Sequence, residues 1–176
     1  MRNMHETREA CAVKIPFVIQ KIDKRYVHKA RQENVVISSI QRRVDIGENE
    51  FECLVAIDES LPFFFEHYID HLPGLLFVEG ARQMGTAVCH MFYHVEFGTA
   101  FIIDSMSVHF SSLIELHKPV TLRMSVDFLN GRIASNKRSE FACNVTAIQE
   151  NRICAEAQST WKCIPKKLMM RLRSGN

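Results

Sequence analysis

The sequence has no apolar run long enough to cross a bilayer, because charged residues interrupt every such stretch. Its first residues, Met1 to Glu6, also lack the apolar core of a secretory signal peptide. We therefore expect a cytoplasmic protein without a membrane span.

The six cysteines form no CxxC pair and show no spacing typical of a zinc finger. In a reducing cytosol we interpret them as small, buried hydrophobic residues. Cys89 lies close to His90 and His94 on a predicted helix, so a nucleophilic thiol is the less favoured alternative. We predict no metal site.

The chain carries little net charge, because 22 Lys and Arg residues face 20 Asp and Glu residues, which leaves a formal charge of +2. No basic stripe is visible, which argues against a nucleic-acid partner. Basic residues do gather at the C-terminus, at Lys166, Lys167, Arg171 and Arg173. This basic tail is typical of a solvated chain end, and it would also suit an acidic carrier protein.

The composition is that of one globular domain with a true hydrophobic core, since 47% of the 176 residues are hydrophobic and 24% are charged. No internal repeat and no low-complexity segment interrupts it. We divide the chain into a flexible N-terminal leader (1–13), one domain (14–165) and the basic tail (166–176).

Two runs rich in β-branched and aromatic residues predict a hairpin in the first third of the chain. The first strand is expected over 34–43 and the second over 50–58, where apolar and polar residues alternate. Gly47-Glu48-Asn49 supplies turn residues between them.

The segment 59–73 is predicted to be a loop that lines a site. It contains three successive phenylalanines together with His67, His71, Pro62 and Pro73. A loop rich in aromatic rings usually lines a pocket, since the rings would otherwise face solvent.

One long helix is predicted over 74–96. Apolar residues cover nearly all of its faces, which indicates burial on most sides. The polar exceptions Glu79, Gln83, Thr86 and His90 are spaced four, three and four apart, so they share one face.

After Gly98 the pattern predicts only strands, over 100–103, 106–112, 120–130, 138–149 and 153–164, with turns at Asn130-Gly131 and Glu150-Asn151. The predicted order is two strands, one buried helix and a further series of antiparallel strands. This is the order of an α+β protein in which one sheet must cover the helix. We therefore predict a single hotdog fold, an antiparallel sheet wrapped around one long buried helix. Its open edge strands lead us to expect a homodimer.

Several motifs in combination resemble the AfsA-like family, the A-factor biosynthesis branch of the hotdog fold. They are Val27-His28-Lys29, Pro62-Phe63-Phe64, Glu66-His67, Asp70-His71-Leu72-Pro73-Gly74, Glu79-Gly80-Ala81-Arg82-Gln83, and Phe110 followed by Glu115-Leu116-His117-Lys118-Pro119. The loop and helix start also resemble the active-site segment of β-hydroxyacyl-carrier-protein dehydratases.

Two features depart from the family's pattern. Leu61 stands where the family has a histidine ahead of Pro-Phe-Phe. Many members also carry two hotdog repeats in one chain, whereas this chain has room for one. The resemblance therefore implies that two copies pair.

The resemblance implies catalytic roles for His67, Glu79, Arg82 and Gln83, and substrate-binding roles for His28, Lys29, Phe64, His71 and Gly74. His67 falls on the catalytic histidine of the dehydratases, and Glu79 on their helical acidic residue. Without the family, Glu79 followed by Arg82 three residues later is typical of a structural ion pair. A Glu79 that faces the pocket unpaired would instead be a candidate acid or base.

Other roles stay open at this point. The backbone N–H groups at Gly74 either polarise a thioester carbonyl or form a plain helix start. His28-Lys29 is either a surface turn or, as the family suggests, a border of the active site where Lys29 attracts a phosphate. A metal site at His67 and His71 is disfavoured, because both precede the helix.

The family condenses a β-ketoacyl thioester with the hydroxyl of glycerone phosphate, on the route to butyrolactone-type signals in secondary metabolism. The resemblance implies a similar acyltransferase, in which His67 activates the hydroxyl and Glu79 or Arg82 orients the acceptor. The acyl group would arrive on the phosphopantetheine arm of an acyl carrier protein or of coenzyme A, and no cofactor is implied. The alternatives are dehydration or hydrolysis of an acyl thioester, and a non-catalytic module that binds an acyl ligand or a carrier protein.

Overall fold

One antiparallel sheet of six strands dominates the computed structural model, which describes residues 19–131 and 138–174. The predicted leader over 1–13 lies outside the described residues. The order across the sheet is β1-β2-β4-β5-β6-β3. The strands are β1 (Gln41–Arg42), β2 (Glu50–Leu54), β3 (Ala100–Phe110), β4 (Thr121–Phe128), β5 (Ser139–Gln149) and β6 (Arg152–Ile164).

The predicted long helix is α1 (Gly74–Phe92), and the sheet covers one side of it. The approach is tight at Gly80, whereas position 85 has ordinary contact distances. A Cβ on Gly80 would stand 3.1 Å from the side chain of Leu122, and one on Gly85 would stand 3.7 Å from Met124 and Trp161. The prediction of a sheet wrapped around one buried helix is therefore confirmed.

The helix ends four residues earlier than predicted. The chain leaves the helix at Tyr93, and His94 takes a positive φ of 54°. This turn lets the Val95 N–H donate to the Cys89 carbonyl at 3.1 Å. The apolar pattern continued through Val95 because Val95 is buried after the helix has ended.

The strand predicted over 34–43 is mostly wrong, because only Gln41–Arg42 forms a regular strand and Ile37 adds an isolated bridge to Val55. Val35, Val36 and Ile37 are fully buried, which explains their apolar character. The Val36 N–H donates to a helix side chain, the Gln83 Oε1, at 3.0 Å instead of to a strand. The predicted hairpin is nevertheless present, since Arg42 pairs with Phe51.

The two strands predicted over 100–103 and 106–112 are one strand, β3. A register irregularity between Ile103 and Ser105 bends the strand while its pairing with β6 continues on both sides. Such a bulge inserts an extra residue without ending a strand, so the polar Asp104 looked like a break.

The centre of the core lies where β5 and β6 face α1. Phe141 is fully buried and its ring stacks on Trp161, with centroids 6.0 Å apart. The predicted turn between these strands is confirmed. Glu150 and Asn151 have φ values of 51° and 61°, the left-handed pair that suits the twist of a tight hairpin.

The basic tail forms a second helix, α2 (Lys166–Ser174), with Lys166, Lys167 and Arg171 exposed. Within the described residues, no helix has the length and apolar character needed to cross a membrane.

Replacing Phe141 by alanine should lower the free energy of unfolding by about 3–5 kcal/mol, because the change empties a fully buried site. The exposed Val44→Ala is the control and should change it by less than about 0.5 kcal/mol. Urea unfolding of both variants checks this. Equal losses would contradict the assignment of the core.

Candidate functional site

A cavity of about 540 Å³ opens between the 59–73 loop, the first turns of α1 and the segment before the sheet. One wall is apolar and the other end is polar. The apolar lining comes from Leu61, Pro62, Phe63, Phe64, Leu75 and Val78, and the polar lining from Lys29, Asn34 and Glu79. An acyl chain with a polar head has this same division.

Glu79 is held by donors on both carboxylate oxygens. Arg82 donates from Nε to Oε2 and from Nη2 to Oε1, each at 2.8 Å. Lys29 Nζ lies 2.8 Å from Oε1, and Gln83 Nε2 donates to the same oxygen at 2.9 Å. Glu79 is therefore an acceptor for two cations and an amide at once.

These contacts decide the protonation state of Glu79. Burial favours the neutral acid and raises its pKa, but the hydrogen bonds from Arg82, Lys29 and Gln83 together outweigh burial and lower the pKa to about 2. The group is a carboxylate at neutral pH, with three donors on Oε1 and one on Oε2. The geometry is therefore the ion pair with Arg82 that the spacing predicts, in which Glu79 orients its neighbours.

Gln83 links the site to the segment that covers the helix. Its side chain is fully buried, donates to the Asn34 carbonyl at 2.9 Å and accepts from the Val36 N–H at 3.0 Å. Arg82 adds a bond from Nη2 to the Val27 carbonyl at 3.1 Å. These bonds place Lys29 beside Glu79.

The predicted loop residues lie apart from this network. His67 is exposed, and no residue in the described part of the chain is hydrogen bonded to it. His71 donates from Nδ1 to Asp70 at 2.8 Å. Gly74 opens α1, and a Cβ there would stand 3.1 Å from the tip of the Phe110 ring, which would have to shift slightly.

The structure therefore brings some predicted site residues together and separates others. Lys29, Phe64 and Glu79 line one cavity, with Arg82 and Gln83 bonded to Glu79. His28, His67, His71 and Gly74 do not line this cavity. Among residues 19–131 and 138–174, no group of three or more His, Cys, Asp or Glu side chains is placed to hold a metal ion.

Sequence reasoning missed a contact between His28 and His90, whose Nε2 atoms are 2.9 Å apart. The shared polar face of α1 was the available signal, because it placed His90 in line with Glu79 and Gln83. Nothing in the spacing could show that His28 is its partner.

A sheet that wraps one central helix, with an aromatic loop at the helix start, is the hotdog architecture. The same fold occurs in the dehydratase heterocomplex ApeI:P from Xenorhabdus doucetiae, with a TM-score of 0.58, 14% identity, and coverage of 85% of this chain and 95% of that chain. It also occurs in a candidate thioesterase from Shewanella oneidensis, with a TM-score of 0.52, 7% identity, and coverage of 73% and 84%. At these identities the likeness shows the fold alone.

The chain belongs to the AfsA family, the A-factor biosynthesis hotdog domain, whose family model matches residues 12–165. A curated relative is the 2-oxo-3-(phosphooxy)propyl 3-oxoalkanoate synthase of Streptomyces virginiae, 32% identical over 72 residues. That match covers 41% of this chain but only 22% of the relative.

The charged network predicts a specific pH dependence of stability. The pKa of Glu79 falls from an ordinary 4.5 to about 2 in the folded protein, so its ionised form stabilises the fold by about 3 kcal/mol at neutral pH. Because the folded-state pKa is the lower one, this stabilisation is complete above the unfolded pKa and is lost as the pH falls through the folded value. Glu79→Gln should therefore be less stable than the wild type at neutral pH, and the gap should narrow in acid.

Urea unfolding at about pH 7 and about pH 3 measures this gap. The exposed Glu96→Gln is the matched control and should track the wild type at both pH values. A gap that stays constant between the two pH values would show that the contacts of Glu79 do not depend on its charge.

Proposed function

We propose that this protein transfers a β-ketoacyl group from a thioester to the hydroxyl of a phosphorylated acceptor such as glycerone phosphate, in the biosynthesis of a butyrolactone-type signal or secondary metabolite. The observation that carries the proposal is the cavity itself, in which an apolar wall lies beside Lys29 and Glu79, with Arg82 bonded to Glu79. The relative from Streptomyces virginiae is named for a product of this kind.

The apolar wall suits the acyl chain. Phe64, Leu61 and Val78 present hydrophobic surface to the cavity, so an alkyl chain that enters removes apolar area from water. The 540 Å³ volume is within the usual range for small-molecule sites.

The polar end suits the phosphate. Lys29 and Arg82 together carry one more positive charge than Glu79 neutralises. Within the described residues, no acceptor is bonded to Arg82 Nη1, and Lys29 Nζ has a single partner at Glu79. Both cations therefore retain donors for a phosphate, and Glu79 keeps them in place.

The same geometry argues against hydrolysis at this site. A hydrolase of the predicted kind would use Glu79 or Gln83 to place an attacking water. Glu79 Oε1 accepts three protein donors and Gln83 donates both amide protons to protein acceptors, so at Glu79 only Oε2, which already accepts from Arg82, has a lone pair left for a water. An acceptor that brings its own hydroxyl fits the site better, with His67 as the base predicted from sequence.

The acyl group is expected to arrive on a carrier protein or on coenzyme A. The exposed basic residues of α2 support the carrier protein, since these carriers are acidic and charge attraction speeds encounter. The phosphopantetheine arm belongs to the substrate, and the proposal needs no cofactor.

Lys29→Ala should raise the KM for glycerone phosphate roughly 10- to 100-fold while the KM for the acyl thioester changes little, because Lys29 belongs to the polar end only. Mass-spectrometric turnover of β-ketoacyl thioesters, with and without glycerone phosphate, checks this. The control is Lys118→Ala, which breaks ion pairs to Glu115 and Glu150 outside the cavity.

The same assay separates the alternatives. Free acid without an acceptor would identify a thioesterase, and an enoyl product from a β-hydroxyacyl thioester would identify a dehydratase. Acyl binding without turnover of any thioester would identify a non-catalytic module.

We also propose that two copies pair along β3. This strand pairs with β6 on one side, and no described strand covers its other side. Ile102, Ile103 and Phe110 are 39%, 37% and 48% exposed, which leaves apolar side chains beside a free edge. A long open edge is a ready site for strand pairing.

Ile103→Glu should convert the dimer to a monomer, because two-fold pairing brings like charges together. Sedimentation equilibrium measures the mass. Val44→Glu, at another exposed apolar position, is the control and should leave the mass unchanged. A wild-type protein that sediments as a monomer at every concentration would contradict the proposal.

A further inference from the structure

The His28–His90 contact lies beside the Glu79 network and has an ordered hydrogen-bond pattern. His90 is buried, 6% exposed, near the end of α1. Its Nδ1 lies 2.6 Å from the Val95 carbonyl oxygen, and its Nε2 lies 2.9 Å from the Nε2 of His28. The series of hydrogen bonds Val95–His90–His28 therefore runs from a buried backbone carbonyl to an exposed imidazole.

This series of hydrogen bonds determines the tautomer of each neutral ring. A carbonyl oxygen only accepts, so the proton of His90 is on Nδ1 and its Nε2 is a lone pair. The proton of His28 must then be on Nε2, where it donates to His90. The remaining lone pair of His28 is on Nδ1, and no residue in the described part of the chain is hydrogen bonded to that atom.

Aromatic rings hold the pair in place. Phe97 stacks on His90 with centroids 4.7 Å apart. The Phe101 ring meets His28 and His90 edge-on at 5.4 and 5.3 Å. His28 also ends a short 3-10 helix, Lys24–Val27, in a left-handed conformation with a φ of 55°, and its backbone N–H donates to the Lys24 carbonyl.

The surroundings keep His28 unprotonated and ready to accept. Burial, then the neighbouring His90 and Arg82, lower the pKa of His28 below its ordinary value. Burial also lowers the pKa of His90. Arg82 from α1 is the charged group that acts on His28, and Tyr26 packs against Phe97 at the margin of the pair.

His28 is also tied to the Glu79 network through the residues on either side of it. The carbonyl of Val27 accepts from Arg82, and the ammonium group of Lys29 pairs with Glu79. An acceptor whose phosphate binds these two cations is thus held by the residue that follows His28 in the chain and by the cation bonded to the residue that precedes it.

We propose that His28 is the base that takes the proton from the acceptor hydroxyl, and that His90 is a positioning residue that directs the His28 Nδ1 lone pair. This role rests on the proposed acyl transfer and replaces the exposed His67 as the base. The hydroxyl proton moves to His28 Nδ1 as the oxygen forms a bond to the thioester carbonyl carbon. The carbon–sulfur bond then breaks, and the departing sulfur takes the proton back, which yields an ester, a thiol and a neutral His28.

The test compares four variants for turnover with glycerone phosphate. His28→Gln should lower kcat about 100- to 10,000-fold with little change in KM, the range for loss of a general base. His90→Leu should lower kcat as well, whereas His90→Gln should recover much of it, because the glutamine oxygen can still accept from His28 Nε2. His109→Gln, at an exposed histidine on β3, is the control and should match the wild type.

The pH profile separates a base from a merely structural residue. The acid limb of kcat/KM should lie below about pH 6.5, the ordinary histidine value, and should vanish in His28→Gln. Nitrogen NMR of the wild type should show His28 protonated on Nε2 and His90 protonated on Nδ1. This readout does not depend on turnover.

Each negative result of these experiments has a different consequence for the proposal. An active wild type with an unaffected His28→Gln, or with loss of activity only in His67→Gln, would overturn the role of His28 and leave the acyl transfer intact. The opposite tautomer on His28 would overturn the positioning role of His90. A wild type that turns over no acyl thioester would overturn the proposed function and, with it, the role of His28.

Discussion

The polar stripe along α1 is the constraint on which the rest of the structure depends. The sheet covers the opposite side of this helix, so it cannot supply partners for the stripe of Glu79, Arg82, Gln83, Thr86 and His90. A buried polar group left without a hydrogen bond destabilises a fold by about 1–3 kcal/mol. The segment 27–36 removes that penalty with backbone groups and with His28 and Lys29. Most of this segment bonds to the helix, and only at its end does the Val36 carbonyl accept from the Ala56 N–H beside the Ile37–Val55 bridge.

The same contacts organise the site before any ligand arrives. Glu79 fixes Lys29 and Arg82 side by side, so the proposed phosphate would meet cations that are already in position. Its binding would then avoid much of the conformational entropy that two free side chains lose. In the proposed function one network serves both stability and activity, so a substitution in it should change both. Activity measurements on these residues therefore need unfolding measurements beside them.

The hydrophobic periodicity of the sequence predicted which face of each helix or strand is buried. It could not predict which residues of other elements that face contacts. The alternation in β5 and the four-three-four spacing in α1 depend on neighbours within one element, and the structure confirms both. His28 and His90 are 62 residues apart, and Lys29 reaches Glu79 from a different segment. Such contacts depend on how elements pack. The strand predicted over 34–43 rested on the apolar character of the segment. A segment that covers a helix is as apolar as a strand, so this character could not distinguish the two.

The residue at position 61 bears on which histidine takes the proton in the proposed reaction. The family's pattern has a histidine at this position, whereas here the side chain is 7% exposed and lines the apolar wall of the cavity. A leucine there extends the surface available to an acyl chain and removes a group that can exchange a proton. In the proposed acyl transfer, the proton of the acceptor hydroxyl must then be taken by another group, for which we propose a histidine. Of His28 and His67, only His28 has an orientation set by a hydrogen bond to a buried partner, so the loss at Leu61 increases the importance of the contact with His90.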